Sequence, residues 1–472
     1  MNQMKRAALY AACTVLAGAG WVRAGDDRTD LTLTPSLKTN PIYAANAVAP
    51  APAATEEPTL LQAKMTQYNL GGSWLDQNAI RVGGYGEFGY VYNFDHPASG
   101  FNGYGFLFND KEQDLTLDQI SLFVARDALV GPDHFDMGFK VQVVYGSDVR
   151  YTQANGTNFY GSRWAQDFNP GALPSQSSSI GPGFPLRNAG QPDPENQIDF
   201  LQGYVTANLP VGNGLLLTAG KFVTPWGLES IDPTQSLFYT HSWMFSLATP
   251  RTLTGALATY RLDDQWSVTG GLVVGWNQAF EDNNDFPSFL AQANYIYSPE
   301  WDFTVSVLAG PEVTGNRSDY RWTLDAMARW KMSDTVHLGF EGVVGYQPDA
   351  GSHYLDVQLN TGQDITALFP TGDDALWFGG VVQGDYRLDE DGIYTVVLRG
   401  EYFNDSSGGL GFASEVWSAT AGVNIVPFPK DEYGKNFMIR PEIRWDYALD
   451  TIFDDNMRRT QFTASADLIY KF

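Results

Sequence analysis

Long apolar runs are scarce in this chain. The longest in its 472 residues lies at 7–20, short of the roughly 20 apolar residues a membrane helix needs. If the protein crosses a bilayer, it does so with strands. Cysteine is nearly absent: Cys13 is the only one and sits inside that first run. The segment ahead of it is too short for a lipoprotein signal, so no lipid anchor is expected. Without a second cysteine there is no disulfide and no thiolate metal site. Basic charge is also short, with 29 Lys and Arg against 54 Asp and Glu, a net −25. Nucleic acid is excluded as a partner, because phosphate needs a basic surface. Only five histidines occur, at 96, 134, 241, 337 and 353. His241 alone has a neighbouring hydroxyl, Ser242, and no third group to orient the pair. Triad chemistry has no support, and no enzyme is expected.

What is present reads as export followed by strands. Lys5 and Arg6, the apolar run and Val22-Arg23-Ala24 form a secretory signal peptide over 1–24. Residues 25–79 hold an Ala/Pro tract at 44–58 and show no heptads. Too little apolar bulk offsets its ordering entropy, so a flexible periplasmic tail is expected. From Ile80 to Phe472, about 16 strand-like runs follow, near the ~9–11 residues a tilted membrane strand needs.

Connection lengths alternate. Tight ones, such as 210–214, 262–265, 298–300, 332–335 and 389–392, carry Gly, Pro, Asp and Asn and suit hairpins. Those between are longer, up to 146–197. Short turns on one side and long loops on the other are the pattern of an outer-membrane barrel with both ends in the periplasm. The expected fold is therefore all-β: a closed antiparallel transmembrane β-barrel over 80–472, with short periplasmic turns and long external loops. A secreted sandwich has no reason to keep that rhythm.

Strand registers agree. Phe437, Ile439, Ile443, Trp445 and Tyr447 alternate with Arg440, Glu442, Arg444 and Asp446. A charge facing lipid at mid-depth costs ~2–4 kcal/mol, so the charged register faces the lumen. On that basis Arg81, Lys140, Lys221, Arg321, Arg329, Lys331, Arg387, Arg399, Arg440, Arg444 and Lys471 point inward. So do Glu87, Asp136, Asp302, Asp325, Glu341, Asp385, Glu401, Glu442, Asp446 and Asp467. The two sets nearly cancel, leaving the surplus acid to loops, turns and tail. Acidic loop tips at 281–285, 373–374 and 454–455 lack calcium-loop spacing and read as solvated tips. The long loop 146–197, rich in Gly, Pro and Ser, reads as an external cap.

The stretch Gly220-Lys221-Phe222-Val223-Thr224-Pro225-Trp226-Gly227-Leu228-Glu229, continuing through Phe238-Tyr239-Thr240-His241-Ser242 to Pro250, then Thr254-Gly255, Gly275-Trp276-Asn277 and Asp282-Asn283-Asn284, resembles the β-barrel porin-2 (OmpL-like) family of outer-membrane proteins. The resemblance implies a passive channel in the bacterial outer membrane with no cofactor and no catalytic residues. Implied partners are outer-membrane lipid, small hydrophilic solutes and the assembly machinery, which the C-terminal strand ending in Phe472 engages. A homotrimer is open. A rival reading is a plugged barrel serving as an adhesin or structural surface protein.

The segment 224–250 is too apolar to wave in water, holding Trp226, Leu228, Ile231, Leu237, Phe238, Trp243, Met244, Phe245 and Leu247. It is expected to fold inward as a constriction, by analogy with the loop at that place in general porins. Its acids Glu229 and Asp232 are then expected to face Arg399, Arg440 and Arg444 across the bore, with Arg387 lower down. The competing expectation is that Glu401 and Glu442 pair those arginines along the wall.

Overall fold

The computed structural model describes residues 58–154, 156–157, 195–313, 316–348, 350, 374–410 and 414–472. Sixteen antiparallel strands close on themselves, each bonded to its sequence neighbours and β1 to β16. In order they are β1 (Arg81–Asn93), β2 (Leu115–Arg126), β3 (Asp136–Gly146), β4 (Gln197–Leu209), β5 (Leu215–Val223), β6 (Thr252–Arg261), β7 (Trp266–Val273) and β8 (Ser288–Ser298). Then come β9 (Trp301–Pro311), β10 (Tyr320–Lys331), β11 (Val336–Gln347), β12 (Ala375–Arg387), β13 (Tyr394–Asn404), β14 (Glu415–Ile425), β15 (Phe437–Ala448) and β16 (Thr460–Lys471). Closure runs from Tyr85↔Lys471 to Asn93↔Thr463. It leaves no unpaired edge, which a sheet in lipid requires. One gap in the ladder has a local cause. Between Gly422↔Glu442 and Ile425↔Ile439 the pairing of β14 with β15 lapses, where Pro441 has no N–H to give.

Faces follow the alternation. Leu398, Leu272, Trp322, Ile443 and Val382 are exposed on the outer surface, while Arg399, Glu401, Arg440, Glu442, Arg444 and Asp446 are buried inside. Aromatic rings gather near both rims. Trp266 stacks on Tyr295 at 4.4 Å and Trp301 on Trp330 at 5.0 Å at the short-turn end. Tyr402 meets Trp417 at 5.1 Å and Trp417 meets Tyr447 at 5.8 Å at the other. Such girdles mark the two interfaces of a membrane barrel.

Three strands carry a bulge: β8 at Tyr297 beside its turn, and β2 and β4 within the wall. Glu87 pairs with Gln119 but Phe88 with Leu117, leaving Asp118 over. Gln142 pairs with Gln202 but Val143 with Phe200, leaving Leu201 over. An extra residue resets the faces, and Asp118 and Asp199 both end up buried, at 1% and 0% exposure. Strict alternation does not place either one inward.

The end of the expected flexible tail is ordered. α1 (Leu60–Gln67) and α2 (Gly72–Gln77) precede β1. Thr59 caps α1 by accepting Gln62 N, and its hydroxyl donates to Val82 O. Gln62 completes the dock, donating Nε2 to Ile80 O at 3.1 Å and accepting Val82 N at 3.2 Å. Capping and backbone bonds, not an apolar face, hold this pair, which is why hydrophobic content misreads it. Residues 25–57, and most of the long loop 146–197, lie outside the described residues.

Candidate functional site: a loop folded into the lumen

The third long connection, L3 (224–251), turns into the barrel. Its apolar residues spread over three buried clusters, and each ties the loop to something different. Trp226 clusters with Phe222, Leu253, Leu257, Leu290 and Leu308 on the wall where the loop starts, and with Trp276 of the connection after β7. Ile231 and Phe245 meet Leu107, Phe108, Val149 and Tyr151 of the first two long loops and their short helices. Trp243, Met244 and Leu247 cross to Trp377, Val381, Phe403 and Val416 on β12–β14. The loop thus spans the lumen.

Its short helix carries its own end signals. This helix (Trp243–Ala248) is α4, α3 being Val149–Thr152. Ser242 Oγ accepts Phe245 N at 3.0 Å. At the other end Arg251, 4% exposed, gives Nη1 to Phe245 O and Thr249 O at 2.5 and 2.8 Å, and Nη2 to Ser246 O at 2.5 Å. A guanidinium satisfies orphan carbonyls where the helix dipole is negative.

Wall charges grip the loop's backbone. Glu442 accepts Tyr239 N and Thr240 N at 3.0 and 3.1 Å, and also the Thr240 hydroxyl. Glu401 accepts Trp243 N and Met244 N at 2.9 and 2.7 Å, at the end of α4 where a negative charge suits the dipole. Glu341 accepts Leu228 N at 2.7 Å. Asp446 accepts the Trp243 indole N–H at 2.9 Å. The arginines take carbonyls: Arg399 binds Thr240 O at 2.7 Å, Arg440 binds Pro233 O and Ser236 O at 3.0 and 2.7 Å, and Arg444 binds His241 O at 2.7 Å.

The residues expected to form the constriction come together only in part. Glu229 reaches Arg399 directly, Oε1 to Nη1 at 3.1 Å. It also accepts Ser242 N at 3.0 Å and bonds His241 Nδ1 at 2.9 Å. Asp232 meets no arginine among the described residues. It caps its own turn, accepting Thr234 N at 2.9 Å and Gln235 Nε2 at 3.1 Å. Arg440 is held by Asp467 at 2.5 Å and Glu87 at 3.3 Å, and Arg444 by Asp446 at 2.9 Å. Loop acid and wall arginines therefore do not stand apart across open space. Nor do Glu401 and Glu442 simply pair the arginines, since loop amides occupy them. Alternation shows which wall side chains point in. It is silent on backbone partners, so Glu341, Glu401 and Glu442 as anchors of the loop had no signal in the sequence. Ser242 did have one: a serine just ahead of an apolar run is an N-cap pattern.

Burial drives the Glu229 carboxyl up, but Arg399, His241 and the Ser242 amide outweigh it and hold the group down at about 2. Burial pushes the His241 imidazole below its usual 6.5 against the pull of Glu229, so it is neutral at pH 7.

A closed sixteen-strand barrel with aromatic rims, a charged inner face and a loop locked across its lumen is an outer-membrane channel architecture. A family model described as "Putative beta-barrel porin-2, OmpL-like" matches residues 79–472; the chain belongs to that family, and it is a porin of the bacterial outer membrane. Family and fold are those of a channel. Among solved structures the chain is similar to the anion-selective porin from Comamonas acidovorans, at 10% identity and a TM-score of 0.47, covering 83% of this chain and 99% of that one. It is also similar to the outer membrane channel DcaP of Acinetobacter baumannii, at 10% identity and a TM-score of 0.48, covering 83% and 97%. No curated protein sequence matches it.

Proposed function

We propose that L3 is the constriction of this porin and that small hydrophilic solutes and ions diffuse past it. The observation that carries this reading is the crossing of the lumen by L3, with its amides held by Glu341, Glu401 and Glu442 on the far wall. Glu229, Asp232, Arg399, Arg440 and Arg444 act there as positioning charges: most are spent on the loop and on one another. The pore itself is then nearly neutral. The −25 of the whole chain sits largely outside the lumen wall and concentrates cations at the mouths when salt is low. The reading includes export under residues 1–24, a periplasmic tail over 25–79 and insertion through β16 by the assembly machinery, with a homotrimer left open.

The test is single-channel conductance after deletion of residues 231–245. A clear rise in a folded, heat-modifiable barrel supports the constriction. Unchanged conductance in such a barrel places the loop outside the permeation path. Cation preference that fades as ionic strength rises is the expected selectivity, and strong anion selectivity at low salt would contradict it.

A further inference from the structure

Beneath the turn of L3 at 231–239 lies a small cavity that the constriction does not use. Glu87 of β1, Gln119 of β2, Asn109, Asp148, Tyr239 and Arg440 supply its polar lining together with Ser236 and His241. Its free volume is ≈ 10 Å³, room for one water-sized occupant. Among the described residues, two oxygens of lining residues have no hydrogen-bond partner: Asp148 Oδ1 and Asn109 Oδ1. Their residues are 3% and 6% exposed, so bulk water does not satisfy them. The second Asp148 oxygen accepts Gln119 Nε2 at 2.9 Å, and Gln119 also donates to Ile231 O at 2.9 Å.

Among the described residues, charge is out of balance around the same cavity. Glu87 and Asp148 line it, Asp118 accepts from Tyr239, Asp467 holds Arg440, and all four are buried. Arg440 is the cation among them, shared between Asp467 and Glu87. Arg150 is nearby but chelated by Asp110, at 2.7 and 3.0 Å. His241 is turned to Glu229. Tyr239 and Tyr85 are neutral donors, to Asp118 at 3.1 Å and Gln119 at 2.9 Å. Burying carboxylates in such excess is strongly unfavourable unless something positive joins them.

We propose that this cavity binds one alkali-metal cation of sodium size, with Asp148 Oδ1 and Asn109 Oδ1 as ligands and the Glu87 carboxylate beside them. Oxygen donors suit a hard cation. Among the described residues no three carboxylates, imidazoles or thiolates converge as a metal cage, and Arg440 already lines the space, so a single positive charge fits better than two. The ligands come from the first two long loops and the roof from L3. The ion therefore pins three external loops together inside the barrel, whether or not L3 narrows the pore.

The experiment follows the temperature at which the purified full chain loses its compact gel form. It compares sodium chloride with N-methylglucamine chloride at equal ionic strength and neutral pH. The expected result is an upward shift that saturates with sodium and is absent with the organic cation, which is too large to enter. Asp148→Asn should abolish the sodium dependence. Asn109→Asp, which adds a charged ligand, should make it steeper, and it decides the matter alone if the first variant fails to assemble. Equal transition temperatures in the two salts would mean that the cavity holds only water, which overturns the proposal. So would a transition that rises on mild acidification yet ignores sodium, for then protons balance the charge.

Discussion

The lumen wall has two halves built from different side chains. On β13–β15 it presents Arg399, Glu401, Arg440, Glu442, Arg444 and Asp446. Apart from Lys140, the rim acids Asp136 and Asp302, and Asp199, which Lys221 holds at 3.2 Å, β3, β4 and β6–β9 present chiefly hydroxyls and amides that bond to one another: Gln202 to Gln142 at 2.7 Å, Thr259 to Thr269 at 2.8 Å, Thr304 to Asn294 at 2.8 Å and Gln292 to Ser306 at 3.0 Å. The neutral half closes most of its bonds within itself. The charged half cannot, because a carboxylate accepts several donors and a guanidinium offers five. The spare capacity goes to the backbone of L3. Charge inside this barrel is thus a fastening for the loop, and solutes meet its residue rather than its full strength.

The comparison breaks most readily at Arg444. Its guanidinium is fully buried and is shared between Asp446 and His241 O. Arg444→Met leaves Asp446 buried without its partner, a loss of ~3–5 kcal/mol by the usual cost of breaking a buried pair. Urea unfolding of the barrel in detergent should show that loss together with raised conductance. A variant as stable as the parent would mean that the charged half is ornamental.

Acid should loosen the same fastening by a known sign. Glu229 has a folded pKa of about 2, below its ordinary 4.5. A depressed carboxyl contributes stability above its unfolded pKa and loses it as pH falls through the folded value. The shift is worth on the order of 3 kcal/mol. Between pH 4.5 and 2, single-channel recordings should grow noisier and larger as the bond to Arg399 is lost. Glu229→Gln should already show the looser loop at neutral pH and change less across that window. Identical acid responses in the two proteins would rule Glu229 out as the titrating anchor.

A smaller effect is expected at Glu442. Glu442→Ala orphans Tyr239 N and Thr240 N, at roughly 1–3 kcal/mol for a buried unsatisfied donor. The barrel should still assemble, with L3 less firmly seated and conductance higher. Conductance equal to the parent's would show that the remaining anchors suffice.

The fold was readable because its signal is repetitive. Alternation along β15 set Arg440, Glu442, Arg444 and Asp446 against Ile439, Ile443 and Trp445, and the rhythm of short and long connections repeated around the barrel. The inward course of L3 was readable from its apolar content. Its fastening was not, since a backbone N–H has no letter in the sequence and Glu442 could equally have met Arg440. Asp118 and Asp199 escaped because each bulge shifts the faces by one residue, which no two-residue period shows. Asp232 was misjudged for a local reason: an Asp two residues before a turn amide is more cheaply used as a cap.

Thr259→Val on the neutral half should do least, and it isolates what the comparison claims. Thr259 and Thr269 are 7% and 5% exposed, and their hydroxyls bond at 2.8 Å. Valine keeps the shape and removes one partner, so the cost is the desolvated Thr269 hydroxyl, about 1 kcal/mol. Removing both, in Thr259→Val with Thr269→Val, should recover most of that loss, because two apolar groups of the same shape leave nothing unsatisfied. Neither hydroxyl bonds to L3, so conductance and its acid response should match the parent in both variants. If the single substitution instead raised conductance as far as Glu442→Ala does, the neutral half would be holding the loop as well, and the division of the wall into a fastening side and a self-contained side would fail.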